Sequence, residues 1–164
     1  MTISGVNARE LILEILLQIE EEGEHSHIAI RNALSKYQFL PKKERAFITR
    51  VCEGTLEYRI QIDYILDSFS KVTVDKMKPA IREILRSAVY QLKFMDSVPD
   101  SAVCNEAVKL AQRKGFYNLK PFVNGVLRTV IREMGNLKYP EKEEDIVSCL
   151  SVNDIIRTSR SLFP

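Results

Sequence analysis

The strongest nucleophiles in this chain are three cysteines, Cys52, Cys104 and Cys149, and their settings speak against a catalytic thiolate. They lie more than forty residues apart, with no C-x-x-C pair to hold zinc or form a redox couple and no flanking proline. Cys52 and Cys104 fall within helical patterns, where cysteine serves as a small buried hydrophobe. His25 and His27 form an H-S-H pair in a turn, but two ligands without a neighbouring Cys or Asp read as surface histidines. Ser, Asp and His occur without a nucleophile-elbow motif. No two of the six glycines are closer than ten residues, so no glycine-rich loop is present to bring backbone against a cofactor. Asn105-Glu106 reads as structural, tying helix ends together beside the Pro99-Asp100 turn.

Cations offer more. Arg82, Arg86 and Lys93, spaced four and seven apart, share one helical face opposite a stripe containing Ile84 and Leu92. Lys109, Arg113 and Lys114 form a comparable group. Each is either a phosphate-binding face or a solvated face that Glu83 or Glu106 partly neutralises. The net charge of +2, from 24 Lys and Arg against 22 Asp and Glu, decides little. Distribution decides more: acidic runs at Glu20-Glu21-Glu22 and from Glu141 to Asp145 leave Arg31 to Lys138 basic, making the middle of the chain the expected RNA-facing part.

Helices must position these groups. Asn7 is placed to cap a first helix whose stripe is Ala8, Leu11, Ile12, Ile15, Leu16 and Ile19, and Gly23 to stop it. Leu13 and Leu17 widen that stripe toward two neighbours. A second helix is predicted from Ser26 to about Tyr37. A long third follows Pro41 with a bend near Tyr58-Arg59, and Asp75 is the expected cap of the next. Ile81, Ile84, Leu85, Ala88, Val89 and Leu92 then form the most regular stripe, the expected centre of the core. Two more helical patterns follow, separated by Val98-Pro99-Asp100 and by Gly115 to Pro121, and Tyr139-Pro140 closes the last. No bounded period-2 apolar run exists, so the fold is predicted all-α, a bundle of about seven helices. Its 164 residues suit one core without disulfide or metal. Residues 1–140 form the expected domain and 141–164 a charged, poorly ordered tail or the start of a linker. No leader and no run of about twenty apolar residues appears, so the expectation is a soluble, cytoplasmic chain that engages neither membrane nor DNA.

Within this frame, Asn105-Glu106-Ala107-Val108 followed by Phe122-Val123-Asn124-Gly125-Val126-Leu127 resembles the paired signature of the NusB-like RNA-binding fold. Tyr90-Gln91-Leu92, Val126-Leu127-Arg128 and Lys138-Tyr139-Pro140 resemble more closely the N-terminal domain of the RsmB (Sun, Fmu) family of 16S rRNA cytosine-5 methyltransferases. The resemblance covers about Asn7 to Pro140. It implies RNA contacts from the first helix and from the loop into F-V-N-G, here Arg9, Lys120, Phe122 and Asn124. Phe122 is either a platform for a base or a core residue. Asn124 is expected to cap or bond backbone, and Gly125 to permit close helix packing.

The resemblance also implies what the chain lacks. A methyltransferase holds S-adenosylmethionine and attacks with a thiolate beside a proline-rich motif, and neither feature is here, so no cofactor and no catalytic residue is expected in this chain. The first expectation is a non-catalytic domain that helps a methyltransferase, whose catalytic domain would follow in cis, engage small-subunit rRNA. A free-standing antitermination factor that binds leader RNA with a ribosomal protein is the second. A protein-interaction bundle without RNA affinity is the third.

Overall fold

The first helix shows how local chemistry sets the fold. In the computed structural model, which describes residues 5–23 and 26–140, helix α1 (Ala8–Glu22) starts where Asn7 leaves extended backbone. The Asn7 Oδ1 accepts from the backbone N–H groups of Arg9 (3.0 Å) and Glu10 (3.2 Å), which satisfies two of the donors a helix start leaves open. Gly23 ends the helix at φ 62°, the left-handed region that side chains disfavour, with its N–H on the Ile19 carbonyl. Six more helices follow: α2 (Ser26–Ser35), α3 (Lys42–Glu57), α4 (Arg59–Phe69), α5 (Pro79–Phe94), α6 (Asp100–Arg113) and α7 (Lys120–Glu133). Short 3-10 turns stand at Val74–Lys76, Tyr117–Leu119 and Met134–Asn136. Among the described residues there is no strand, and the all-α expectation holds.

α5 is the axis of the bundle, with α1, α3, α4, α6 and α7 all packed on it. Ile81, Ile84, Leu85, Ala88 and Val89 are buried as their spacing requires. Glu83, Arg86, Ser87 and Gln91 are buried too, so the middle of α5 has no solvent face and its polar groups need partners from neighbouring helices.

Close approach of α3 to α5 occurs at Gly54, where a Cβ would run into the Tyr90 ring. Gly125 does not serve this purpose: it is exposed, with nothing within 4 Å of where its Cβ would stand. The expected bend near Tyr58-Arg59 is a full interruption. Tyr58 adopts φ −97°, ψ 18°, and its ring stacks on Phe94 with centroids 4.3 Å apart.

Two boundaries differ from expectation. Asp75 caps nothing at α5, which begins at Pro79 after Lys78 without a side-chain cap. Asp75 lies instead inside the Val74–Lys76 turn, whose first N–H donates to Asp67 Oδ1 at 2.7 Å. α7 stops at Glu133, before Tyr139-Pro140, and passes into the 3-10 turn that contains Gly135. The predicted tail, 141–164, lies outside the described residues.

Candidate nucleic-acid interface

The corner between α6 and α7 gathers three of the expected RNA residues. α6 is closed by Gly115 at φ 87° and by the Phe116 N–H on the Ala111 carbonyl (2.9 Å), which turns the chain into the Tyr117–Leu119 segment and then α7. Lys120 Nζ lies 2.9 Å from Gln112 Oε1 and 4.7 Å from the centroid of the Tyr117 ring. That ring is 64% exposed. Phe122 is half-buried and packs against the core. Asn124 neither caps nor bonds backbone: its Oδ1 accepts from Arg128 Nε at 3.2 Å, one turn further along α7. Sequence reasoning passed over Tyr117. Its signal was position alone, an aromatic in the Gly115–Pro121 loop outside any apolar stripe.

Arg9 is on the first turn of α1, half-buried, with its guanidinium 5.3 Å from the Phe47 ring centroid. Burial lowers its pKa, and the charge of Glu106 opposes that shift. No hydrogen bond, ion pair or ring contact joins Arg9 to Lys120, Phe122 or Asn124 among the described residues. The carboxyl end of α6 reaches toward both groups: Lys114 Nζ is 3.0 Å from Glu10 and 3.5 Å from Glu14 on α1, while Gln112 holds Lys120.

The expected face of Arg82, Arg86 and Lys93 is not one solvated surface. Arg86 is only 3% exposed and forks onto Asp63 of α4, with Nε to Oδ1 and Nη2 to Oδ2 both at 2.7 Å. Its Nη1 donates to Glu83 at 2.6 Å. Arg82 pairs with Glu20 of α1, and Lys93 lies over the rings of Phe94 (5.7 Å) and Tyr139 (5.2 Å). The cause is the central place of α5. The side opposite its apolar stripe meets α1 and α4, and charges buried there persist because they are paired. Burial opposes the charge of Arg86, yet its bonds to Asp63 and the nearby Glu83 raise its pKa overall. Lys109 likewise pairs with Glu106 at 3.3 Å.

Cys52 and Cys104 are buried, and burial pushes both thiols up, away from thiolate. Cys149 and His25 lie outside the described residues, and His27 sits 3.4 Å from Glu53 on the surface. Among the described residues no cluster of three or more His, Cys, Asp or Glu could hold a metal, and no helix is long and apolar enough to cross a membrane.

A seven-helix bundle around α5, with the α6–α7 corner exposed, is the architecture of a known class. It superposes on the crystal structure of antitermination factors NusB and NusE in complex with dsRNA at a TM-score of 0.70 and 21% identity, covering 76% of this chain and 93% of that one. It also superposes on T. maritima NusB at a TM-score of 0.70 and 27% identity, covering 77% and 89%. The chain belongs to the NusB family, whose model matches residues 6–132. It is 32% identical over 127 residues to the probable ribosomal RNA small subunit methyltransferase B of Bacillus subtilis, which covers 77% of this chain but only 28% of that protein's length. It is also 32% identical over 145 residues to the transcription antitermination protein NusB of Desulfitobacterium hafniense, covering 86% of this chain and 95% of that protein.

Proposed function

We propose that the chain is a non-catalytic RNA-recognition domain that helps an rRNA cytosine-5 methyltransferase engage small-subunit rRNA. The observation that carries the RNA reading is the α6–α7 corner, where the ammonium of Lys120 stands beside the exposed ring of Tyr117, a pairing that suits a phosphate and the base next to it. Arg9 supplies a cation on α1, and the half-buried Phe122 and Asn124 set the start of α7. The similarity to the Bacillus subtilis methyltransferase B supports the assignment to rRNA, with a methyltransferase domain as the partner in cis. Gln91 supports it too. Its side chain turns inward, 3% exposed with Nε2 on the Ser87 carbonyl, and offers nothing to a protein partner at the surface.

The second reading, a free-standing antitermination factor that binds leader RNA with a ribosomal protein, is favoured by the match over 95% of the Desulfitobacterium hafniense NusB. A competition experiment separates the two. Small-subunit rRNA fragments should displace leader RNA from the chain, and adding ribosomal proteins should not reverse that order. Tighter binding of leader RNA that depends on a ribosomal protein would favour the second reading. The chain itself should transfer no methyl group: incubated with labelled S-adenosylmethionine and undermodified rRNA, it should leave the RNA unlabelled.

A further inference from the structure

The charges of this chain are very unevenly placed. Residues 31–50 carry six Lys and Arg against one carboxylate, Glu44, leaving eighteen cations against twenty-one carboxylates elsewhere. Cations on α5 and α6 are spent internally, with Arg82, Arg86, Lys109 and Lys114 each on a carboxylate. Arg31, Lys36, Lys42, Lys43 and Arg45 meet no carboxylate among the described residues, so this corner keeps its positive field.

The same corner has a shape to match. An open groove of about 660 Å³ runs along α3, with Lys42, Arg45 and Arg50 on its wall, Tyr90 on its floor, and Glu53 and Glu57 toward the far end. The floor is open to the groove because Gly54 has no side chain to cover the ring. Arg50 is held in place by donating from Nη2 to the Phe94 carbonyl at 3.2 Å. From Lys42 to Arg50 the wall is about 12 Å long at 1.5 Å per helical residue, room for about three phosphates at 3.4 Å per nucleotide. Just before α3, Phe39 exposes 63% of its surface, its ring 5.9 Å from that of Tyr37.

We infer that the α2–α3 corner is a second RNA-binding site, in which a single strand lays its phosphates along Lys42, Arg45 and Arg50 and stacks a base on Phe39. An acidic peptide could use the cations, but the exposed ring beside them is what a nucleobase needs. This rests on the RNA-binding reading of the chain and extends it to a surface separate from the α6–α7 corner.

The test is fluorescence anisotropy of the whole chain with a labelled single-stranded RNA of mixed sequence, over a series of salt concentrations. The double variant Lys42→Gln/Arg45→Gln should lower the slope of log K against log salt by about two, one for each lost phosphate contact. Phe39→Ala should weaken binding about tenfold without changing that slope. Both changes are at exposed or half-exposed side chains, and circular dichroism with urea unfolding checks that the fold is intact. RNA carrying 4-thiouridine should cross-link to peptides from residues 31–50. If the wild-type chain binds RNA and Lys120→Ala weakens it, while affinity and slope of the double variant stay at wild-type values, the second site is overturned and the first survives. The same holds if the groove takes up only an acidic peptide. No RNA binding by the wild-type chain would overturn both.

Discussion

Arg86 is tolerated in the core because three carboxylates surround it: Asp63 and Glu83 in hydrogen bonds, and Glu20 at 3.9 Å. Glu83 carries the cost of that arrangement. Burial raises its carboxyl pKa, with Arg86 pulling it down and Glu20 adding to the rise. A carboxyl whose pKa is higher in the folded than in the unfolded chain favours folding in acid and loses that contribution as pH rises through the folded value. Glu83→Gln should therefore gain stability relative to the wild-type chain on going from about pH 4 to about pH 7, read by urea unfolding at each pH. A difference that moves the other way would contradict the buried, raised carboxyl. At Gly54 the constraint is steric. Gly54→Ala should destabilise by about 1–3 kcal/mol, as overpacking of a close contact does, and the change should be nearly silent in a Tyr90→Ala background. None of this was legible in the sequence. Spacing placed Arg82 and Arg86 on one face but carried no sign of Glu20 or Asp63, which lie in other helices, and nothing local distinguished Gly54 from Gly125.

At the scale of elements the sequence was far more informative. The α1 ends, at Asn7 and Gly23, follow from chemistry within a few residues, and the α5 stripe follows from period alone. Leu85, 0% exposed at the centre of that stripe, should cost about 2–5 kcal/mol when cut to Ala through lost contacts and the cavity left behind. A loss below about 1 kcal/mol in urea denaturation would mean that the core is not where it stands here. What was misplaced depended on tertiary contacts. The α3–α4 break is set by the Tyr58 ring against Phe94, and Asp75 yields because Asp67 already takes the Val74 N–H. The corner before α7 was recognisable as a turn from Gly115 and Pro121. The exposure of Tyr117, the aromatic best placed beside Lys120, was not, because an aromatic in a loop gives no period from which to read its direction.

For the whole molecule, a near-neutral sum hides separated fields. Carboxylates of α1 and α4 neutralise the inward cations of α5, while Lys120 has no carboxylate partner among the described residues and the α2–α3 corner stays positive. Phosphate binding by such a surface releases counterions, so its affinity must fall as salt rises. The central measurement is filter binding of the wild-type chain to a small-subunit rRNA fragment between about 50 and 200 mM salt, beside Lys120→Ala. The expected result is a linear fall of log K with log salt, with the slope reduced by about one in the variant. A flat salt dependence, or no retention of RNA above background at the lowest salt, would contradict the assignment of this bundle to RNA and leave a protein-interaction domain in its place.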